Sequence, residues 1–408
     1  MKRLMNLGLG LAYALGMIAL AGCGGGHEDH GAAGFSRETN YFLAAGDFHS
    51  CSLSGGDLYC WGSNDNGQIG AGMDPALYYS NYDNLNVSVP LEVRNIRDVK
   101  GVTNGGSHSC ANLANGAVKC WGYNEYGQLG DGDFNDTFLP ADVIDAAGLD
   151  LTGIIQISAR GDHTMALTSI GTALGWGDNY YGQLGNGYSS TYFSYATAVV
   201  GPEGLTVAQV SAGGYHSCLL AGDGGVWCFG DNTYGQLGDG TNTPSNVPVQ
   251  VSDFPGLVRE ICSGFDHNCA ELTDGSVYCW GYGGDGQLGQ GSFSNTDTPV
   301  LAALAPDLAL HLACGNDHTC AVLTTGAMAC WGDNEDGGLG NGTFSDSNVP
   351  VDVIGLPGPV LAASAGNLHT CALLFSGEIF CWGGNTAGQL GTGDFEDYTA
   401  PRSVLFPL

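Results

Sequence analysis

Short stretches that alternate apolar and polar residues recur along the chain from about residue 41, and glycine-bearing turns separate them. Residues 49–53 (His-Ser-Cys-Ser-Leu) and 58–62 (Leu-Tyr-Cys-Trp-Gly) flank one such turn, as the two strands of a β-hairpin do. Residues 89–93 and 247–251 share a Val-Pro-x-x-Val pattern that is typical of further short strands. No segment carries the caps and the 3.6-residue period of a long helix. The pattern therefore predicts an all-β chain.

One sequence unit recurs seven times, and it decides the predicted architecture. It consists of Gly-x-x-His-Ser/Thr-Cys-Ala-Leu, a turn, Val-x-Cys-Trp-Gly-x-Asn-x-x-Gly-Gln-Leu-Gly-x-Gly, and a final Pro-x-x-Val. Its histidines are spaced by 59, 55, 53, 51, 51 and 51 residues, a period typical of propeller blades. We therefore predict a seven-bladed β-propeller over residues 41–408. The repeated histidines and their matching aromatic residues are His49, His108, His163, His216, His267, His318 and His369, with Trp61, Trp121, Trp176, Phe229, Trp280, Trp331 and Trp382.

The two ends of the repeat array predict how the ring closes. The first unit has no Pro-x-x-Val segment before it, whereas the last unit is followed by a spare one that begins at Pro401. A circular array must join its ends, because open blade edges would otherwise remain. We therefore expect the C-terminal strand to close the ring by completing the first blade.

The N-terminal residues have the composition of a bacterial export signal. Lys2 and Arg3 precede an apolar run that ends in Leu-Ala-Gly-Cys at Cys23. This run resembles a lipobox, which implies cleavage before Cys23 and attachment of lipid to its thiol. We interpret residues 1–22 as a lipoprotein signal peptide and 23–40 as a flexible tether. We expect an exported protein, lipid-anchored to the cell envelope at the outer membrane or cell surface; an uncleaved membrane anchor is the alternative.

The cysteines pair within the repeat units. Apart from Cys23, all but two of the 15 cysteines fall in pairs, one pair in each unit except the third. The third unit has Met165 and Gly175 at these positions, so both cysteines are missing together, as expected for bonding partners. Hairpin strands bring Cα atoms to about 4.5–5.5 Å, which suits a disulfide. Metal binding is the alternative, but no Cys-x-x-Cys spacing occurs. Disulfides indicate an oxidising compartment. The predicted pairs are Cys51 with Cys60, Cys110 with Cys120, Cys218 with Cys228, Cys269 with Cys279, Cys320 with Cys330, and Cys371 with Cys381.

Two cysteines remain, Cys262 and Cys314. Both precede the Gly-x-x-His motif, in consecutive units. We predict a bond between these two blades, with free buried thiols as the alternative, because a one-residue offset along the strands points their side chains to opposite faces.

The net charge of the chain limits which classes of macromolecule can bind it. It has 41 Asp and Glu residues against 10 Lys and Arg, for a net charge of −31. Such a surface repels phosphate backbones, so we expect no nucleic acid partner. With 43% apolar residues, the chain can still build a large core.

The repeat resembles the regulator of chromosome condensation repeat family over about residues 41–408. Gly-Gln-Leu-Gly stands at 127–130, 182–185, 235–238, 286–289 and 388–391, with Gly-Gln-Ile-Gly at 67–70 and Gly-Gly-Leu-Gly at 337–340. The resemblance implies a seven-bladed propeller. The founding eukaryotic member is a nuclear exchange factor for a small GTPase that binds chromatin, and other members are secreted bacterial β-lactamase inhibitor proteins that grip an enzyme with loops on one face. We expect no nuclear role here, because this chain is acidic, cysteine-rich and equipped for export, and has no recognisable counterpart of the catalytic wedge.

Catalytic chemistry has no clear carrier in the sequence. A catalytic residue is needed once, so histidines that recur in every unit are better explained as structural groups. Residues 131–136 (Asp-Gly-Asp-Phe-Asn-Asp) resemble a calcium loop but lack the Gly at position six and the bidentate Glu. Arg160-Gly161-Asp162 replaces the usual Gly-x-x before histidine, and we treat this integrin-type tripeptide as coincidental. We expect no enzyme, no cofactor and no metal.

Function is predicted where the repeat loses its symmetry. The first and third units carry extra residues after Gly-x-Gly, and these inserts are rich in tyrosine. Loops at one point of the repeat should emerge on one face of the propeller, and tyrosine-rich loops are typical of binding surfaces. Packing within the longer loops is the alternative. The predicted partner-binding residues are Tyr78, Tyr79, Tyr82, Tyr188, Tyr192, Phe193 and Tyr195.

Together these features favour a monomeric, envelope-anchored module that binds a protein or a glycan. An enzyme on a propeller scaffold, such as a lyase or hydrolase, and a purely structural envelope protein are the alternatives.

Overall fold

The computed structural model describes residues 42–72, 85–252, 254–304 and 307–407. All regular secondary structure in these ranges is β, and 28 strands form seven antiparallel sheets of four strands each. Within the same ranges, no helix has the length and apolarity needed to cross a membrane. The prediction of an all-β, seven-bladed propeller is confirmed.

Each blade consists of four strands that are consecutive in the chain. The strands of blades 1 to 4 are β1 (Leu43–Ala45), β2 (His49–Ser54), β3 (Asp57–Gly62), β4 (Val87–Glu92), β5 (Val99–Asn104), β6 (His108–Leu113), β7 (Val118–Gly122), β8 (Thr137–Asp142), β9 (Ile154–Arg160), β10 (His163–Thr168), β11 (Ala173–Asn179), β12 (Thr191–Ala198), β13 (Val207–Ala212), β14 (His216–Ala221), β15 (Val226–Gly230) and β16 (Ser245–Gln250). The strands of blades 5 to 7 are β17 (Val258–Ser263), β18 (His267–Leu272), β19 (Val277–Gly281), β20 (Thr296–Leu301), β21 (Ala309–Cys314), β22 (His318–Leu323), β23 (Met328–Gly332), β24 (Ser347–Asp352), β25 (Val360–Ala365), β26 (His369–Leu374), β27 (Ile379–Gly383) and β28 (Tyr398–Ser403).

The first strand of every blade lies at the axis of the ring and the fourth lies at the rim. First strands of neighbouring blades contact one another all the way round, including β1 with β25. They line an axial channel with small and polar side chains such as Ala45, Asn104, Ser263 and Ala365. The second strands are almost wholly buried, whereas the fourth strands are largely accessible.

The ring closes differently from the sequence-based expectation. The C-terminal strand β28 pairs with β27 of its own blade, and β1 to β4 form a complete first blade by themselves. The expectation that β28 completes the first blade was therefore wrong. Blade 7 and blade 1 instead meet by side-chain packing at an interface that we call the seam. There Val404 and Phe406, which follow β28, join a buried cluster with Leu43 and Trp61 of blade 1.

The hydrophobic core is divided among the interfaces between blades. Seven buried clusters exist among the described residues, and each contains residues of two neighbouring blades. In each one the repeated aromatic residue of one blade packs against the blade before it. The last glycine of the Gly-Gln-Leu-Gly turn permits this contact: a Cβ on Gly238 or Gly289 would lie 2.7 Å from the indole nitrogen of Trp280 or Trp331.

The rim strands are protected against edge-to-edge pairing. All of them except β12 contain the repeated proline, as β4 contains Pro90 and β28 contains Pro401. The pairing register of each proline-containing rim strand with its neighbour shifts near the proline, so the strand is locally irregular. The proline also has no N–H group to donate to a further strand. The Pro-x-x-Val segment of the repeat therefore forms the outer edge of the blade.

Candidate binding face

Two kinds of loop form one face of the propeller. The loop between the first and second strands of a blade, and the loop between its third and fourth strands, emerge on the same side because neighbouring strands are antiparallel. We call this side the upper face. The turns between second and third strands and the connections between blades form the lower face. Both long motifs of the repeat lie at the base of upper-face loops.

Beneath the upper face, each repeated histidine joins its blade to the next one. Its Nε2 atom lies 2.8–2.9 Å from the side chain that follows the next histidine, which is Ser, Thr or, in blade 5, Asn268. That side chain donates in turn to a carbonyl of the Gly-Gln-Leu-Gly turn in the preceding blade. The indole N–H of the repeated tryptophans reaches the same carbonyls. Only blade 4, with Phe229, lacks this last bond among the described blades.

The histidines act as neutral hydrogen-bond donors. Each partner hydroxyl gives its single proton to the carbonyl, so it accepts from the imidazole. Asn268 shows the same direction: its Nδ2 donates to the Gln236 carbonyl, which leaves Oδ1 to accept from His216. Burial lowers the pKa of His108 to about 3 and that of His318 to about 4. The role of this repeated group is therefore to link blades.

A second repeated side chain shapes the upper-face loops themselves. Asn124 accepts a hydrogen bond from the Leu129 backbone N–H (3.0 Å), and its Nδ2 points at Asp131 Oδ1 and at the carbonyls of Asp133 and Asn135 (3.1–3.3 Å). These oxygens belong to the segment that resembles a calcium loop, and in the structure they surround an amide group. The matching asparagines of blades 3, 4, 6 and 7 do the same. A buried amide therefore holds each of these five loops open and in place, whereas blade 5 has Gly283 at the matching position.

The structure bonds each of the six cysteine pairs that the repeat predicts. Their Cα atoms are 4.0–4.1 Å apart across the second and third strands of a blade, somewhat closer than the 4.5–5.5 Å expected for a hairpin. All twelve side chains are buried in the blade interfaces, so these cysteines stabilise the fold and take no part in the exposed site. The bonds join Cys51 to Cys60, Cys110 to Cys120, Cys218 to Cys228, Cys269 to Cys279, Cys320 to Cys330, and Cys371 to Cys381.

Blade 3 shows what replaces the missing pair. Met165 and Gly175 occupy the same cross-strand position there. A Cβ on Gly175 would lie 2.9 Å from Met165 Sδ, so the buried methionine fills the space of the absent disulfide.

The two remaining cysteines, Cys262 and Cys314, are bonded between β17 and β21, with Cα atoms 5.6 Å apart. The one-residue offset does not keep the two cysteines apart, because β17 and β21 belong to the sheets of neighbouring blades and lie side by side in the wall of the channel. Glu260 and His311 join the same two strands at 2.6 Å. Cys314 also lies near His267 and Cys269, but both of these cysteines are already in disulfides. Cys23 lies outside the described residues.

Arg160 breaks the symmetry of the ring at the upper mouth of the channel. In the other six blades a Cβ at the matching glycine would lie 2.1–2.6 Å from the ring of the repeated histidine. In blade 3 the strand β9 extends to Arg160, which pairs with His163. The guanidinium crosses to blades 6 and 7, where it donates to Asn316 and to the carbonyls of Cys314 and Ala365. The arginine of the Arg-Gly-Asp tripeptide therefore makes its hydrogen bonds inside the propeller.

Three runs of contacting aromatic side chains cross the upper face of blades 2 to 5. Ring centroids lie 5.0–5.9 Å apart within each run, and five of the rings are 37–55% exposed. All members except Tyr192 occupy variable positions of the two repeated motifs, so sequence reasoning that looked for inserts passed over them. We call the three runs together the aromatic band: Tyr123, Tyr126 and Tyr192; then Tyr180, Tyr181, Tyr215 and Phe265; then Tyr234 and Tyr282.

The predicted partner-binding residues divide into three groups. Tyr192 belongs to the aromatic band, where it packs on Tyr126 of blade 2 at 5.1 Å. Tyr188, Phe193 and Tyr195 form a smaller cluster beside it, at the edge of blade 3, with centroids 6.0–6.2 Å apart. Tyr78, Tyr79 and Tyr82 lie outside the described residues.

Charge is distributed unequally between the two faces. Over the described ranges, the upper-face loops contain Asp or Glu in every blade and neither Lys nor Arg. Burial and the neighbouring Asp178 and Asp47 raise the pKa of Asp162 to about 6, and burial with Asp231 and Asp317 raises that of Asp266 to about 7. The described basic residues other than Arg160 lie toward the lower face: Arg94, Arg97, Lys100, Lys119, Arg259 and Arg402.

Residues 28–366 match the RCC1-like domain, and residues 360–389 and 376–408 each match the regulator of chromosome condensation (RCC1) repeat. The chain belongs to the RCC1-like domain family. Among curated members, it is 33% identical over 317 residues to the Ultraviolet-B receptor UVR8 of Arabidopsis thaliana, a match that covers 76% of this chain and 71% of the receptor.

Solved RCC1-like propellers superpose on the chain. The crystal structure of human WBSCR16 matches with a TM-score of 0.70 and 26% identity, covering 81% of this chain and 85% of the other. The structure of Prp20p from Saccharomyces cerevisiae matches with a TM-score of 0.73 and 20% identity, covering 90% and 87%. The second match establishes the fold alone. The structure of yeast RCC1 (Prp20) bound to Kap60 matches with a TM-score of 0.72 and 20% identity, covering 93% of this chain and 91% of the other, and it likewise establishes the fold alone.

Proposed function

We propose that this RCC1-like propeller is an exported, lipid-anchored module that binds a macromolecular partner, a protein or a glycan, on its upper face. The observation that supports binding most directly is the aromatic band. The band reaches over four adjacent blades, and its five exposed rings lie in blades 3 and 4. Contacting aromatic rings that are exposed and bordered by polar groups are typical of interaction surfaces. Tyrosines supply large contact area with few rotatable bonds, so little conformational entropy is lost on binding.

Export is supported by two independent features of the chain. The lipobox-like run ending at Cys23 implies lipidation, and the disulfides of six blades require an oxidising compartment. We propose a monomer, because two upper faces of the same negative charge repel each other.

The experiment is capture from a detergent extract of the native envelope, with the oxidised chain as bait. We expect Tyr181→Ala combined with Tyr215→Ala to abolish partner capture. The matched control is Phe375→Ala, which removes a still more exposed ring (67%, against 40% and 37% for the two tyrosines) from a lower-face turn. Equal capture by both variants would reject the upper face as the binding surface.

A further inference from the structure

Resting on the proposed function, we infer that the upper face binds a cationic polypeptide, a Lys- or Arg-rich segment of another protein. The argument comes from the arrangement of carboxylates around the aromatic band and from the absence of basic residues in the described upper-face loops.

Carboxylates lie beside rings of the band. Burial raises the pKa of the Tyr215 hydroxyl, and the nearby Asp162, Asp178 and Asp266 add to this effect. In blade 2, the Tyr123 hydroxyl donates to Glu125 Oε2 at 2.8 Å. An ammonium or guanidinium group over such a ring gains cation–π attraction, and a carboxylate beside the ring adds to it. The pairing of rings with carboxylates suits a basic side chain.

The described part of the chain neutralises the negative charge of this face only in part. Arg160 is the one described basic residue at the upper mouth: its guanidinium donates to Asn316 and to two backbone carbonyls, and its charge lowers the pKa of Asp47 and Asp317 against the larger effect of burial, which raises both. The acidic groups therefore repel one another, and burial with that repulsion raises the pKa of both Asp266 and Asp317. A bound cation relieves this repulsion, whereas a second copy of this chain or a nucleic acid increases it.

A neutral glycan can stack on tyrosines, but it leaves the carboxylates uncompensated. The two partner classes allowed by the proposed function are thus separable by charge. The test is fluorescence anisotropy with a labelled oligo-arginine peptide as probe, at about 0.1 M salt, with an oligo-glutamate peptide and a neutral oligosaccharide as parallel probes.

We expect the oligo-arginine peptide alone to bind. Tyr181→Ala with Tyr215→Ala should weaken it about tenfold without changing net charge. At pH 8, above the pKa of about 7 of Asp266, Asp266→Asn should weaken it several-fold. The matched controls on the lower face are Phe375→Ala and Asp352→Asn, and both should bind as the unmodified protein does. Thermal unfolding of each oxidised variant verifies folding.

Two results overturn the inference. If the tyrosine variant binds oligo-arginine as well as Phe375→Ala does, the attraction is diffuse charge and the aromatic band is not the site. If only the neutral oligosaccharide binds, and the tyrosine variant loses it, the upper face binds a glycan: the cationic partner is then rejected while the proposed binding function stands.

Discussion

Acidification from pH 6.5 to 5.5 should destabilise the propeller through its buried histidines. The pKa of His108 is about 3 in the folded chain, because burial penalises the imidazolium, against an ordinary value of 6.5. Between these two values the unfolded chain binds a proton that the folded chain does not. Stability is therefore complete above pH 6.5 and is lost progressively as the pH falls toward 3.

The magnitude follows from the same two values. Integrated from pH 6.5 to 5.5, each such histidine removes about 1 kcal/mol from the free energy of unfolding. Aspartates with raised pKa values act in the opposite direction, because the stability they contribute at low pH is lost as the pH rises. Four of them have a pKa raised to about 6 or 7, and six more have a pKa raised above 3.8: Asp47, Asp131, Asp136, Asp178, Asp285 and Asp336. They offset part of the loss in the whole protein, so the contribution of one histidine is measured by comparing its variant with the unmodified protein. The four with a pKa of about 6 or 7 are Asp162, Asp266, Asp317 and Asp333.

The assay is urea unfolding of the oxidised protein at pH 7.5, 6.5 and 5.5, with His108→Gln as the test variant. Glutamine keeps a donor for Thr164, which now bonds His108 Nε2 at 2.9 Å, but it does not titrate. Between pH 6.5 and 5.5 the variant should lose about 1 kcal/mol less than the unmodified protein. His27→Gln, in the predicted tether, is the matched control and should leave the loss unchanged. Equal losses in His108→Gln and the unmodified protein would refute the reasoning.

Three further predictions concern single features of the fold and the leader. Met165→Cys with Gly175→Cys should form a seventh hairpin disulfide. The double variant should exceed the Met165→Cys variant in free energy of unfolding by roughly 2–3 kcal/mol, the loop-closure entropy of about ten residues. Non-reducing peptide mapping and urea unfolding check this, and an unbonded pair contradicts it. Phe406→Ala at the seam should cost about 2 kcal/mol, because the ring packs on Trp61 of blade 1. Phe254→Ala, the equivalent contact between blades 4 and 5, should cost the same, and a seam variant with no loss would contradict the closure described above. Cys23→Ala should leave an unprocessed precursor without lipid on mass spectrometry, and normally cleaved, detergent-partitioning protein would reject the anchor.

Most of the fold could be predicted from the repeat because the same physical contacts recur in it. The period indicated propeller blades and the seven copies of the unit indicated their number. The joint loss of two cysteines at Met165 and Gly175 indicated that they are cross-strand neighbours. The seam could not be predicted in this way. A Pro-x-x-Val segment has the same sequence whether it pairs with its own blade or with another, and only the hydrogen bonds of β28 to β27 distinguish the two.

The candidate site was predicted less completely, for a reason that lies in the geometry of a ring. Insert length directed attention to residues 78–82 and 188–195, and of these the described aromatic band includes only Tyr192. Tyr181 and Tyr215 lie in different blades and meet at 5.2 Å only because the blades are packed side by side. In the sequence, Arg160 could be interpreted only as part of a tripeptide motif. Its contact with the Cys314 carbonyl on the other side of the channel depends on the closed ring, which the local sequence does not show.

The contiguity of the blades has a consequence for the engineering of this molecule. Since every sheet is complete within one stretch of chain, no interface depends on a strand borrowed from the other terminus, and the circle can be cut in any of its lower-face connections. A circularly permuted gene that opens between β16 and β17, with a linker joining the old ends, retains all seven sheets and changes only the covalent path across two interfaces. With the proposed lipid-bearing segment placed before β17, such permutants move the proposed point of membrane attachment around the rim, so the angle at which the tyrosine-bearing loops meet their surroundings becomes an adjustable quantity.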